Sequence, residues 1–256
     1  LTTRVQTYIR EENLLKTWQT LVSFYGRHAE HPFAIDPGDL RRTDDPPDYV
    51  SFREAAINLL IHQDFGEQTL TPTILFFRDQ TELFNPGDAF VSREQLIDPG
   101  EKPVRNPSIV ATFRRIGLSD QAGSGMGAIF ASWRRLGNVP PIIDNDKAEK
   151  TFRLILRKER LVTEAQLLAQ ASLGVNLTEE EAAVFAYLTR QGRIDLADVK
   201  ALTGLNGPKA QQLVQRLTVQ ALLEPLREGG HVFALAEHLR PRFRPEGHDA
   251  ELAKQG

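Results

Sequence analysis

The chain has 256 residues, of which 41% are hydrophobic and 25% are charged, a balance typical of globular proteins with one large or two ordinary domains. It has no cysteine, which excludes disulfide bonds, thiolate catalysis and cysteine-ligated zinc and favours a cytoplasmic location. The formal net charge of −3 argues against wholesale binding to nucleic acid, although it is compatible with a local basic surface. No apolar run is long enough to span a bilayer, so no membrane partner is expected.

The first two segments predict a scaffold rather than a site. Leu14, Trp18, Leu21 and Tyr25 repeat at helical spacing, which predicts a packing helix within residues 1–30. Residues 31–49 carry several prolines and aspartates and predict an extended connection.

The stretch from Ser51 to Phe65 predicts a helix that is apolar nearly all round and therefore buried. Glu54, Asn58 and His62 follow one another at intervals of four residues, so they form a polar stripe along this helix. Buried polar groups need hydrogen bonds or a ligand, which makes the stripe a candidate site. Structural alternatives remain, since Ser51-x-x-Glu54 has the form of an N-terminal capping box. Asn58 could equally be a satisfied core amide, and His62 a structural histidine.

Beyond this helix the pattern is that of strands. Residues 73–77 and 81–84 predict a hairpin that ends at Asn85-Pro-Gly87, where proline and glycine allow a tight turn. Residues 91–107 are polar with few apolar anchors and predict a lid-like loop. Residues 151–156 predict a strand that closes the first domain near residue 157.

A glycine-rich loop separates two further predicted helices, residues 108–117 and 128–136. Gly123, Gly125 and Gly127 lead into the N-terminus of the second helix, where bare amides and the helix dipole favour an anion. A flexible turn between helices is the structural alternative, and the glycine spacing alone does not decide between the two.

Together, the order and spacing of these motifs resemble the GHKL ATPase superfamily of gyrase, heat-shock chaperone, mismatch-repair and histidine-kinase ATP-binding domains. In particular they are similar to a divergent branch found in bacterial putative helicase-related transcriptional regulators. The resemblance covers residues 31–157. It implies an α+β fold with a two-layer α/β sandwich of the Bergerat type, an adenine nucleotide as ligand, and ATP with Mg²⁺ as cofactors.

The resemblance also implies a role for each motif. Glu54 corresponds to the carboxylate that activates water in hydrolysing members, and Asn58 to the amide that ligates magnesium. Asn85 and Gly87 correspond to the turn that recognises adenine. The other positions assigned to nucleotide binding are His62, Gly123, Ser124, Gly125, Gly127 and Thr151.

The chain departs from the family pattern near the base and in the lid. The usual adenine-reading aspartate is Asn85, and the usual second glycine of the turn is Ala89. An amide can accept one bond from the adenine amino group but lacks charge assistance, which predicts weaker adenine affinity or altered base choice. No conventional basic lid motif is visible. Lys102 and Arg105 could meet phosphate charge, and ordinary solvated loop charge is the alternative.

Residues 158–175 predict a connector helix, and residues 176–244 predict a second domain that resembles the winged helix-turn-helix of bacterial regulators. Thr178-x-x-Glu181 has the form of a capping box, and further helices are predicted at residues 194–203 and 208–222. The resemblance places five side chains toward double-stranded DNA: Lys209, Gln211, Gln212, Gln215 and Arg216. A packing or dimerisation module is the alternative, because the residues from 176 onward include ten basic and eleven acidic side chains. Residues 245–256 predict a disordered tail.

Two functions therefore remain open. The first is an ATP-binding bacterial regulator that couples nucleotide state to a winged-helix DNA-binding module, with slow ATP hydrolysis as an open question. The second is a non-enzymatic regulator or scaffold, with a degenerate ATP fold and a winged-helix module that contacts other proteins. A homodimer is the candidate assembly.

Overall fold

The computed structural model describes residues 11–28, 34–35, 42–43, 46–119, 125–227 and 230–243. The chain divides into two compact units, residues 1–136 with 141–158, and residues 137–140 with 159–256. Helices and antiparallel sheets occur together, as the predicted α+β class requires. None of the helices in the described ranges combines the length and the apolar character needed to cross a membrane.

The first unit contains α1 (Leu14–His28), β1 (Ala34–Ile35), β2 (Arg42–Thr43), α2 (Pro47–His62), β3 (Thr73–Phe76), β4 (Gln80–Pro86), α3 (Arg93–Ile97), α4 (Pro107–Arg115), α5 (Gly125–Arg135), β5 (Ile142–Asp146) and β6 (Thr151–Arg157). It is built around a four-stranded antiparallel sheet in the order β3-β4-β6-β5, and a separate two-stranded ladder joins β1 to β2.

Helix α2 is the central element of this unit. It packs against α1, α5 and β4, and Phe52, Ala56 and Ile57 on it are almost fully buried. Tyr25 of α1 stacks on Phe52 with ring centroids 4.2 Å apart. Its hydroxyl donates to Asp48 at 3.0 Å, and burial together with this carboxylate raises the pKa of the phenol. The prediction of a buried helix with one polar stripe is confirmed.

The predicted start of α2 at Ser51 is wrong. The helix begins at Pro47. Proline has no backbone N–H, so it leaves no unsatisfied donor at the first helical position. Ser51 therefore lies inside the helix, and its hydroxyl donates to the Pro47 carbonyl at 2.9 Å. The capping-box alternative for Glu54 is excluded by this geometry. The helix also ends at His62, before the predicted end at Phe65.

Four elements of the first unit were not predicted. The short strands β1 and β2 lie in the segment predicted as an extended connection. The lid-like segment contains α3, which begins at a capping box formed by Ser92 and Gln95. The edge strand β5 was missed because three of its five residues are aspartate or asparagine, which are rare in strands. Helix α5 begins at Gly125 rather than at the predicted residue 128.

The second unit contains α6 (Glu164–Ala171), α7 (Glu179–Gln191), β7 (Arg193–Asp195), α8 (Leu196–Thr203), α9 (Gly207–Val219), β8 (Leu223–Pro225), β9 (Val232–Leu235) and a 3₁₀ turn at Glu237–Leu239. Its three strands form an antiparallel sheet in the order β7-β9-β8. The core includes Phe185, Leu188, Ile194 and Leu213.

The helix bounds of the second unit follow the sequence with three exceptions, of which one is α9, predicted at residues 208–222 and observed at Gly207–Val219. The capping box at Thr178 and Glu181 is confirmed. The predicted helix at residues 194–203 begins only at Leu196, because residues 193–195 pair with β9 and Asp195 then caps α8. The connector helix is shorter than residues 158–175, since Thr163 starts it and it ends at Ala171. The predicted disordered tail lies outside the described residues.

Candidate functional site

A cleft in the first unit lies between α2, the turn after β4, the segment before α4 and the start of α5. The cleft is open to solvent, and its walls are mainly apolar. The predicted site residues that line it are Glu54, Asn58, His62, Asn85, Gly87 and Gly125. The fold thus gathers the polar stripe, the Asn-Pro-Gly turn and the end of the glycine-rich loop in one place.

The polar stripe of α2 faces the N-terminus of α5. A Cβ atom on Gly125 would lie 3.1 Å from the Asn58 amide nitrogen and 3.5 Å from a carboxylate oxygen of Glu54. A Cβ at this position would crowd the Asn58 amide and touch Glu54, so glycine allows the backbone to approach both groups. Glu54 is 3% exposed, and its carboxylate accepts a hydrogen bond from Arg53 at 3.2 Å. Helix amides, an amide side chain and a carboxylate therefore converge at this end of the cleft.

Asn85, at the end of β4, is 5% exposed and has a second function in the fold. In the amide orientation that satisfies both polar atoms, the nitrogen donates to the Leu59 carbonyl at 3.2 Å and the oxygen accepts from the Gln63 N–H at 3.1 Å. If the helix continued, the Gln63 N–H would donate to the Leu59 carbonyl. The Asn85 amide binds both groups instead, at the point where α2 ends. The amide keeps the capacity for one further donated and one further accepted bond.

The turn after β4 requires glycine at position 87. Gly87 has a φ of +103°, and its N–H donates to the Lys150 carbonyl at 2.7 Å. An added Cβ would lie 2.9 Å from Arg105 Nε and 3.1 Å from the backbone nitrogen of Asp64. Both the backbone conformation and the available space exclude a side chain, so the predicted tight turn is present.

Asn145 of β5 supports this turn, and no local sequence pattern indicates that it does. Its amide nitrogen donates to the Ala89 carbonyl at 3.0 Å, and its amide oxygen accepts from the Ala89 N–H at 2.8 Å. Asn145 thus binds both sides of one residue that is 56 positions away in the chain. Only the pairing of β5 with β6 brings the two together, and β5 itself was not predicted.

His62 is the last residue of the polar stripe and of α2. Burial, together with the positive charge of Arg105, lowers the pKa of His62 to about 4. The imidazole is therefore neutral at pH 7, where it can donate from one ring nitrogen and accept at the other. A neutral ring is suited to hydrogen bonding rather than to charge neutralisation.

Among the described residues, three basic side chains line the cleft: Lys102, Arg105 and Arg114. The Lys102 ammonium donates to the carbonyls of Asp98 and Gly100, and burial lowers its pKa. Arg114 is an exposed residue of α4, and it was not predicted as a site residue. In the sequence, Arg114 could be recognised only by its position four residues after Val110. This spacing places the two side chains on the same face of α4, and Val110 also lines the cleft.

Several predicted positions lie elsewhere. Thr151 pairs with Pro86 across the β4–β6 ladder, and neither it nor Gly127 is among the residues that line the cleft. Gly123 and Ser124 lie outside the described residues. The predicted DNA-contacting residues Lys209, Gln211, Gln212, Gln215 and Arg216 are all exposed on α9 of the second unit. Arg216, however, lies 3.2 Å from the buried carboxylate of Glu181.

Comparison with known proteins supports the identification of the first unit. Residues 71–156, about a third of the chain, match a family model described as putative ATP-dependent DNA helicase recG C-terminal, which supports a GHKL-like ATP-binding domain. No curated protein matches the chain. The crystal structure of the DIP2311 protein from Corynebacterium diphtheriae is similar with a TM-score of 0.53 at 18% identity, covering 90% of this chain and 47% of that one. At this identity the likeness shows the fold alone, and the chain spans about half the length of that protein.

Proposed function

We propose that the first unit binds an adenine nucleotide together with Mg²⁺ in the cleft and hydrolyses ATP slowly. The observation that carries this proposal is the approach of α5 to the polar stripe at Gly125, with a Cβ position 3.1 Å from Asn58 and 3.5 Å from Glu54. A helix N-terminus favours phosphate, and a side chain in place of Gly125 would fill the space beside the two polar groups. The match of residues 71–156 to an ATPase-like family model supports the same conclusion.

The residues present fit a magnesium–nucleotide complex. Asn58 offers an amide oxygen, the type of ligand that Mg²⁺ prefers, and the metal usually completes its shell with waters and substrate phosphates. When bound, the metal supplies positive charge that offsets the charge of the phosphates. The amides at the start of α5 supply hydrogen-bond donors, and Lys102 and Arg114 add positive charge to the cleft wall.

Glu54 is the residue proposed to activate water. It lies one helical turn before Asn58, on the same face of α2, and both side chains line the cleft. A carboxylate accepts a proton or orients a water molecule, which phosphoryl transfer to water requires. Burial of Glu54 beside an amide and a helix N-terminus keeps this group in a fixed position for that role.

Titration calorimetry with ATP tests the proposed function. Saturable heat at millimolar or lower ATP is the expected result, with adenosine bound more weakly because it lacks the phosphates. Absence of binding at millimolar ATP would contradict the proposal and favour a scaffold with a degenerate ATP fold.

For the second unit we propose a winged-helix module that follows the ATP-binding domain in a bacterial regulator. The order α7-β7-α8-α9-β8-β9, with three antiparallel strands, supports this assignment. The outer face of α9 carries Lys209 and three glutamines, which suit contacts with phosphates and base edges. Arg216 is already paired with Glu181, so Lys209 is the better candidate for a phosphate contact.

We expect weak, salt-dependent binding of double-stranded DNA through this face of α9. Replacing Lys209 with alanine should reduce the slope of log affinity against log salt by about one if its ammonium meets one phosphate. Lys158→Ala in the first unit is the matched control for a lost charge. Fluorescence anisotropy across a salt series measures both slopes. If no duplex binds at low salt, the result favours a module that contacts proteins. If the Lys209→Ala slope equals that of the parent, the Lys209 ammonium meets no phosphate, and the proposed role of this face of α9 is contradicted.

A further inference from the structure

The guanidinium of Arg105 joins three separate segments at the edge of the cleft. Its Nη2 atom donates to both the backbone carbonyl and the carboxylate of Asp88, each at 3.0 Å. Its Nη1 atom lies 3.5 Å from the carboxylate of Asp64, just beyond the end of α2. Its central carbon lies 4.7 Å from the centre of the Phe90 ring. One side chain from the segment before α4 thus holds the end of α2 and the turn after β4.

The third nitrogen of the Arg105 guanidinium, Nε, is buried and makes no hydrogen bond within the described residues. This atom would lie 2.9 Å from a Cβ on Gly87, so the guanidinium packs directly against the glycine of the turn. Leaving a buried N–H unpaired is costly, and the two hydrogen bonds from Nη2 and the ion pair of Nη1 offset that cost.

Two asparagines hold the same region from other directions. Asn145 of β5 binds both the backbone N–H and the carbonyl of Ala89 in the turn. Asn106, next to Arg105, donates to the carbonyls of Ile61 at 3.0 Å and Gln63 at 2.8 Å. Asn145 therefore fixes the turn of residues 87–90, Asn106 ties the segment before α4 to the end of α2, and Arg105 adds a charged contact to the turn through Asp88.

From these contacts we infer that Arg105 is a positioning residue that holds the turn of residues 87–90 in the shape that receives the base. This inference rests on the proposed function of the cleft. It assigns to Arg105 a role different from that of a phosphate-binding cation, because its guanidinium is already paired with the carboxylates of Asp64 and Asp88. The contribution of Arg105 therefore falls on base affinity, which adenosine and ATP share.

Two variants of Arg105 separate the effect of the guanidinium geometry, in which two nitrogens reach separate partners, from the effect of its charge. Arg105→Gln removes both, whereas Arg105→Lys keeps the charge but cannot replace two nitrogens that reach separate partners. We expect each variant to weaken adenosine and ATP by the same factor, about 10-fold, since hydrogen bonds to charged groups are worth that much. The ratio of ATP to adenosine affinity should stay at the parent value. Arg114→Gln is the contrasting variant, because an exposed cation in the cleft wall should affect ATP alone.

Titration calorimetry of the full chain with adenosine and ATP measures this ratio. Loss of ATP affinity with adenosine binding unchanged in Arg105→Gln would overturn the inference and make Arg105 a phosphate cation. Full rescue by Arg105→Lys would also overturn it. A lower binding stoichiometry with unchanged affinity would reveal a folding defect rather than a positioning role and would count against it.

Hydrogen exchange of the unliganded protein separates failure of this inference from failure of the proposed function. Faster exchange at the amides of residues 87–91 in Arg105→Gln supports the positioning role, and parent-like exchange overturns it. If the parent binds neither adenosine nor ATP, the proposed function fails and base positioning fails with it. Faster exchange would then show only that Arg105 holds the turn.

Discussion

Replacing Glu54 with glutamine should lower the rate of ATP hydrolysis by ~100- to 10,000-fold, the contribution typical of a general base. Glutamine keeps the size and the hydrogen-bonding oxygen of the side chain but cannot take up a proton at neutral pH. The affinity for ATP should stay close to that of the parent, because Asn58 and the start of α5 are left in place. A coupled phosphate-release assay measures the rate, and we expect the parent itself to turn over well below ~10 s⁻¹.

Glu149→Gln is the matched control, because Glu149 is exposed and does not line the cleft. It should hydrolyse ATP at the parent rate. Parent-like hydrolysis by Glu54→Gln would show that another group activates water. Since Glu54 lies inside α2 and caps no helix, its variant should also melt near the parent temperature. A large fall in melting temperature would assign Glu54 a structural role.

Replacing Gly87 with alanine should destabilise the first unit more than the same change at Gly100 or Gly127. A residue at φ +103° costs about 1–3 kcal/mol in backbone strain. Contacts of the new Cβ with Arg105 and with the Asp64 backbone add about 1–3 kcal/mol. Urea denaturation, followed by far-ultraviolet circular dichroism, measures the change in the free energy of unfolding.

The two comparison glycines divide this cost into its parts. Gly100 has a φ of +117° but open space around its Cβ position, so Gly100→Ala reports backbone strain alone. Gly127 lies in α5 with nothing near its Cβ position, and alanine there should stabilise the helix by about 0.5–1 kcal/mol. Equal losses for Gly87→Ala and Gly100→Ala would show that the contacts around Gly87 contribute nothing.

The sequence was most informative where local periodicity and chemistry agree. The polar stripe of Glu54, Asn58 and His62 follows from helical spacing alone, and the three side chains do share one cleft. Gly87 has the positive φ that an Asn-Pro-Gly turn needs. The capping box at Thr178 depends on residues three positions apart, so it too could be recognised without the fold.

The features that the sequence did not reveal depend on distant residues. Asn145 supports a turn 56 residues away and lies in an edge strand whose polar composition hides it. The two backbone bonds of Asn85 exist only because β4 ends beside the last turn of α2. The true start of α2 was missed because Ser51 and Glu54 imitate a capping box inside the helix. Partners of this kind become visible only when the strands and helices are in place.

The dependence of ATP binding on magnesium, in the parent and in Asn58→Ala, tests the central claim most directly. In titration calorimetry the parent should bind ATP more tightly with Mg²⁺ than without it. Asn58→Ala should lose this difference, because the proposed oxygen ligand is gone, and Asn58→Asp should retain it, because a carboxylate oxygen replaces the amide oxygen. Adenosine affinity should change little in either variant. If Mg²⁺ has no effect on ATP binding by the parent, or has the same effect in Asn58→Ala, the cleft does not hold a magnesium–nucleotide complex through Asn58.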